Sequence, residues 1–184
     1  MKNLMIDLET LGTDDDAVLL SIGACYFCIE TGKIGDTFHK AISIQSCING
    51  NRSIDASTLL WWMNQGDDAK KVFNASKKAD GLKIVMNQFN DFIKPNTQPW
   101  GNGISFDLVK LKTAFKLCKI KTPWDFWNER DVRTIVEIGR LLEVDHKNLS
   151  TFNGVKHDAL DDAIHQAGYV SAIHQDFIKI MGYK

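Results

Sequence analysis

The sequence has no apolar run approaching the ~20 residues that a membrane-spanning helix requires, which excludes a helical membrane protein. It also lacks a basic surplus: 22 Lys and Arg stand against 23 Asp and Glu, for a net charge of −1. Proteins that grip nucleic acid through bulk charge carry such a surplus. Any nucleic-acid partner here must be held by local patches or by metal ions. Cysteine is scarce, at four residues. Cys25 and Cys28 form a CxxC, yet they fall in AVLLSIGACYFCIE, which reads as a strand. Three positions apart on a strand, side chains face opposite ways, so the pair cannot close on one ion. Cys47 and Cys118 stand alone. Free, reduced, mostly buried thiols in a cytoplasmic protein are expected. The opening MKNLMIDLETLG shows no signal-peptide apolar region and carries acids early, so export is not expected. Without repeats, low-complexity segments or linkers, the 184 residues are expected to form a single domain spanning 1–184.

What is present alternates strand and helix patterns. Strands are expected at about residues 3–9, 17–29 and 34–44, separated by the turn-forming TDDD and ETGK. ASTLLWWMNQG reads as a helix capped by Asp55 or Ser57 and ended by Gly66. DDAKKVFNA reads as a short helix. In ADGLKIVMNQFNDFIK the residues Leu82, Val85, Met86, Phe89, Phe92 and Ile93 form a helical apolar stripe that Pro95 stops. QPWGNG suggests a short strand and a glycine turn, and SFDLVKLKTAFKLC a helix. After PWDFWNERD, a helix or a short strand running into one is expected over RDVRTIVEIGRLL. HDALDDAIHQAGYVSAIHQDFIKIM is the last helix, with Ala163, Ala167, Val170 and Phe177 on one face. Strands first, then helices interspersed with strands, predict an α/β layer structure with a partly antiparallel sheet.

One feature resists a purely structural reading. Asp7 and Glu9 lie in or at the end of the first strand, and their spacing of two points them to one side. Like charges held together repel, and burial makes each costlier. Asp107 follows the turn GNGISF at a helix mouth, while His157 and Asp162 flank the start of the last helix. Strand ends and helix starts converge on one edge of an α/β sheet. Four convergent acids require cations, and all-oxygen ligation suits Mg²⁺ or Mn²⁺ rather than zinc.

These segments, IDLET, NGISFD and HDALDD, resemble the three motifs of the DEDDh 3′–5′ exonucleases in the ribonuclease H-like (DnaQ-like) superfamily. The resemblance runs from residue 4 to about residue 173. STLLWWMNQ, FWNERDVRT and HDALDDA further resemble a subgroup of phage exodeoxyribonucleases and bacterial exoribonucleases. It implies a ribonuclease H-like α/β fold with a mixed five-stranded sheet flanked by helices. It also implies hydrolysis of single-stranded DNA or RNA from the 3′ end to nucleoside 5′-monophosphates. Two Mg²⁺ or Mn²⁺ ions about 3.5–4 Å apart would clamp the scissile phosphate. Asp7 would bridge them, with Glu9 and Asp162 on the first and Asp107 on the second. His157 would act as general base, giving a rate that rises through about pH 6–7. Superfamily members often pair, which allows a homodimer. Two other readings fit the same motifs: a proofreading accessory subunit of a polymerase, and a non-catalytic nucleic-acid-binding relative.

The remaining residues divide between structure and substrate. Asp158 suits an N-cap. Asp161 and Asp162 lie about 100° apart on a helix, so one of them reaches the metals, and the motif spacing selects Asp162. Of Trp61 and Trp62, adjacent on a helix, one is expected in the core and the other is a candidate base-stacking platform. Arg130 and Arg133 are candidate phosphate contacts, or partners of Glu129, Asp131 or Glu137. Lys110, Lys112, Lys116, Lys119 and Lys121 read as a solvated helix surface, with a basic face near Asp107 as the alternative. His39, His146, His165 and His174 fit no motif, and Asp14–Asp16 reads as a hairpin loop.

Overall fold

The computed structural model describes residues 1–182. Its centre is a five-stranded sheet in the order β3-β2-β1-β4-β5. The strands are β1 (Asn3–Thr10), β2 (Leu19–Phe27), β3 (Ile34–Ala41), β4 (Gln98–Gly101) and β5 (Arg130–Asp131). The first three form an antiparallel meander, while β4 and β5 run parallel to β1. The sheet is therefore mixed, as expected. Its helices are α1 (Ile44–Asn49), α2 (Ala56–Met63), α3 (Lys71–Ser76), α4 (Leu82–Phe92), α5 (Asp107–Leu117), α6 (Val132–Leu141), α7 (His146–Leu149) and α8 (Ala159–Ile180).

Period-two alternation on β1 divides the molecule into two layers. Leu4, Ile6 and Leu8 face a core completed by Val85, Met86 and Phe89 of α4 and Leu108, Leu111 and Phe115 of α5. Met5 faces the opposite core with Phe27, Trp100, and Ala163, Ala167 and Val170 of α8. By the same alternation Asp7 and Glu9 continue the Met5 side, under the start of α8. Gly23 pairs with Asp7 across the β1–β2 ladder. A Cβ at Gly23 would sit 2.0 Å from the Ala159 carbonyl carbon. Only glycine there lets the first turn of α8 settle directly beside Asp7.

Several expectations are corrected. The second and third strands are shorter than expected, because Ala17 makes only an isolated bridge to Ser53 and residues 44–49 turn into α1. Ser43 explains that turn: its side chain accepts the Ser46 N–H as an N-cap, a polar signal within an otherwise strand-like run. Asp55, not Ser57, caps α2, and the helix stops at Met63, before Gly66. Phe177 is among the exposed large hydrophobics rather than sharing the buried face of Ala163, Ala167 and Val170, because α8 outruns the sheet there. Lys110 does not belong to a solvated surface. It is 0 % exposed, its ammonium donating to the Thr13 carbonyl at 2.8 Å and lying 3.4 Å from the Phe106 ring centre. Lys116, Lys119 and Lys121 are exposed as expected, and Lys112 pairs with Glu129 at 2.9 Å. Cys25, Cys47 and Cys118 are buried and Cys28 is half-buried, all as free thiols. No helix among the described residues is long and apolar enough to cross a membrane.

Candidate active site

The site forms where the β1 end, the α5 start and the α8 start meet. Each acid arrives on a different kind of support. Asp7 and Glu9 ride on β1, and hydrogen bonding across the antiparallel ladder fixes them in register with Gly23 and Ser21. Asp107 is the first residue of α5, set by the turn at Gly103, whose φ of 101° suits glycine. Its carboxylate packs against Gly101, where a Cβ would come within 3.3 Å of it. Asp162 lies in the first turn of α8. Its Oδ2 accepts the His157 backbone N–H at 2.8 Å. His157 itself has φ 64°, a left-handed conformation uncommon outside glycine, which swings the loop so that the ring enters the cleft.

One atom each from Glu9, His157 and Asp162 lie within 4.8 Å of one another, close enough to hold a metal ion. Glu9 is 8 % exposed and Asp107 3 %. Burial, then the charges of Asp107, Glu9 and Asp162, pushes the Asp7 carboxyl well above its ordinary range. Burial, then Asp162 and Asp107, pushes Glu9 up to about 8. Burial raises Asp107 to about 7, opposed by the nearby Lys110 and Arg133 charges and by backbone N–H groups. Asp162 is raised as well, first by burial. All four acids therefore repel one another inside a poorly hydrated space. Among the described residues, none of them forms a salt bridge.

Asp7 and Glu9, buried among like charges with no cationic side chain acting on them among the described residues, call for a bound cation. The donor set is oxygen with one imidazole, and no cysteine takes part, which fits a hard divalent ion. Unpaired polar atoms at the same place agree. Gln166 Oε1 and Asn102 Oδ1, both on cleft-lining residues, have no hydrogen-bond partner among the described residues, nor does the buried Tyr169 hydroxyl. A hydrated cation supplies the donors that such acceptors need.

An open cleft of about 590 Å³ covers Asp7, Glu9 and Asp162, while Asp107 lies outside its lining; it is walled by Thr10, Gly12, Thr13, Trp61, Phe106 and His157. The two tryptophans part company here. Trp62 is 2 % exposed and donates its indole N–H to the Thr10 carbonyl at 2.9 Å, which makes it a core residue. Trp61 is 43 % exposed and stands edge-on to the His157 ring, centroids 4.9 Å apart. Asp158 caps α8, accepting from Leu160 and Asp161 N–H. Asp161 turns away to accept the Val155 N–H at 2.8 Å, leaving Asp162 to face Glu9.

Neither Arg130 nor Arg133 forms a salt bridge with Glu129, Asp131 or Glu137. Arg130 donates to the Trp127 and Glu129 carbonyls and so braces its own loop. Arg133 is exposed, packs over Gly103 and acts electrostatically on Asp107. Gln166, which the motifs did not single out, donates Nε2 to Asp7 Oδ1 at 2.7 Å. Its position four residues after Asp162, on the same face of α8, was the available signal.

Comparison with known proteins identifies the family and the fold. A model of the Rv2179c-like 3′–5′ exoribonuclease domain matches residues 2–174. An exodeoxyribonuclease of Enterobacteria phage T4 is 29% identical over 167 residues, covering 74% of this chain and 71% of that protein. The nuclease domain of 3′hExo, a DEDDh family member solved with rAMP bound, superposes with a TM-score of 0.64. It is 16% identical, and the match covers 95% of this chain and 92% of that one. Exonuclease I with bound product gives a TM-score of 0.69 at 13% identity, over 98% of this chain and 45% of the other. The chain belongs to the Rv2179c-like 3′–5′ exoribonuclease domain family, and it shares its fold with the nuclease domain of 3′hExo.

Proposed function

We propose that this 3′–5′ exonuclease hydrolyses single-stranded nucleic acid one nucleotide at a time by a two-metal mechanism, with His157 as general base. The observation that carries the reading is the gathering of Asp7, Glu9 and Asp162 at one cleft, with Asp107 near enough to raise Asp7 and Glu9, and no salt bridge to any of the four among the described residues. Family membership implies a divalent metal cofactor. Mg²⁺ or Mn²⁺ is the ion that these ligands favour, and two ions are the number that four carboxylates around one phosphate can share. Asp7, Glu9, Asp107 and Asp162 would hold them. When bound, such ions polarise the phosphodiester and lower the barrier to attack by water.

The protein's own groups do the rest. His157 sits at the cleft wall within reach of Glu9 and Asp162, where its imidazole can take a proton from an attacking water. The Asp162 carboxylate fixes the loop carrying that histidine through the His157 N–H. Trp61 offers an exposed ring beside His157 as a stacking surface for a base at the 3′ end, and Arg133 an unpaired guanidinium for a phosphate. Trp62 and Arg130 serve structure instead. A homodimer is part of the reading, because Phe126 and Trp127 lie side by side at the surface, the kind of apolar patch that a second copy covers. Sedimentation of the purified chain tests that element by itself.

The nature of the sugar is tested directly. Matched ribo- and deoxyribo-oligomers of one sequence, labelled at the 5′ end, are digested with Mg²⁺, with Mn²⁺ and with chelator. The expected result is a ladder shortening from the 3′ end, with nucleoside 5′-monophosphates released and no cleavage in chelator. Cleavage undiminished by chelator, or products that begin at internal positions, would overturn the reading.

A further inference from the structure

Gln166 is a buried polar residue that the mechanism above leaves without a task. It is 5 % exposed, lines the cleft and sits on α8 one turn after Asp162. Its two amide ends differ. Nε2 donates to Asp7 Oδ1 at 2.7 Å, while Oε1 has no partner among the described residues.

A buried acceptor left unmade costs roughly 1–3 kcal/mol. An apolar side chain of similar length would avoid that penalty. The penalty is therefore a sign that the acceptor is used in another state of the protein. We propose that Gln166 is a positioning residue for the divalent cation. It fixes the Asp7 carboxyl in rotamer through Nε2, and presents Oε1 as an acceptor for water around the cation. This inference rests on the metal-dependent reading of the site. It adds that one neutral residue, absent from the three acidic motifs, sets the affinity of that site. Groups that orient a ligating side chain from behind typically change metal affinity 10- to 100-fold when removed.

The test uses the full chain without nucleic acid. Mn²⁺ binding to the wild type, Gln166→Leu and Gln166→Met is measured by calorimetry, and each protein's thermal unfolding is followed in chelator. The expected result is Mn²⁺ affinity lowered by about 10- to 100-fold in both variants. The chelator melting temperatures should be equal to or above the wild type, because an unpaired acceptor has been removed. Unchanged Mn²⁺ affinity in the variants overturns the proposal. So does a lowered melting temperature in chelator, which would mark Gln166 as an ordinary structural residue. If the wild type itself fails to bind Mn²⁺, the metal-dependent reading falls first, so the two failures are told apart.

Discussion

Strands β1 and β2 lie side by side in the sheet, almost equally buried, yet they are built on opposite rules. All nine residues of β2 are buried, and LLSIGACYF carries no charge. NLMIDLET in β1 is sunk nearly as deep but places two carboxylates on the face that α8 covers. Hydrophobic burial of about 25 cal/mol per Å² explains β2 without further help. The same rule fails for β1, where burying Asp7 and Glu9 without cations opposes folding. The difference teaches that half of the sheet's centre is optimised for the fold, and half is held at a loss until a ligand arrives.

The comparison is broken most forcefully by making β1 resemble β2 in charge. Asp7→Asn should reduce exonuclease activity on the order of 10³-fold or more, since the lost cation stabilisation amounts to several kcal/mol. In chelator the same variant should melt higher than the wild type, because an amide carries no charge to bury. Lower stability in chelator would show that Asp7 serves the fold. His157→Ala is expected to slow turnover by about 10²- to 10⁴-fold, with little change in substrate affinity. Steady-state kinetics on a short oligomer separate these two effects.

A third prediction follows from the raised carboxyls. Glu9 lies up to about 8 and Asp107 up to about 7, first because of burial. The folded state therefore keeps protons that the unfolded chain has released. Stability is fully present below the unfolded carboxyl range of about 4–4.5 and is lost as pH rises towards 8. In chelator the melting temperature should fall by about 5–10 °C between pH 5 and pH 8. Mg²⁺ or Mn²⁺ should reduce that slope, since bound cations favour the ionised acids. A slope unaffected by cations would place the titrating groups elsewhere.

The smallest effect separates the two tryptophans. Trp61→Ala should raise KM roughly 5- to 100-fold, the value of one lost base stack, and leave folding intact. Trp62→Ala should cost about 3–5 kcal/mol of stability instead, because its ring fills the core beside Phe73. The reverse pattern in denaturation and kinetics would exchange their roles.

Much of this division was legible in the sequence, though unevenly. That Asp7, Glu9, His157 and Asp162 lie together was readable, partly because carboxylates are unusual at a buried strand end and partly through the motif resemblance. Helix geometry showed only that one of Asp161 and Asp162 faces the site, and the motif resemblance selected Asp162, while the Asp158 cap followed from its position at the helix start. The fate of each tryptophan was not readable, because adjacent helical positions differ only in which way the helix is turned. Lys110 misled for a related reason. A lysine on an amphipathic helix reads as solvated, and nothing local shows that the Thr13 carbonyl and the Phe106 ring will close over it. Gln166 was hidden because its meaning depends on Asp7, 159 positions away in sequence. Long-range pairings of this kind are made by the fold and leave no local pattern.

The most direct test of the central claim is a crystal of the protein soaked in Mn²⁺, with anomalous scattering used to locate the ion. The account predicts Mn²⁺ peaks within ligand distance of Asp7, Glu9 or Asp162, and of Asp107 or its hydrating waters. A saturating soak that leaves this cluster empty, or that places Mn²⁺ only on distant surface acids, would contradict it.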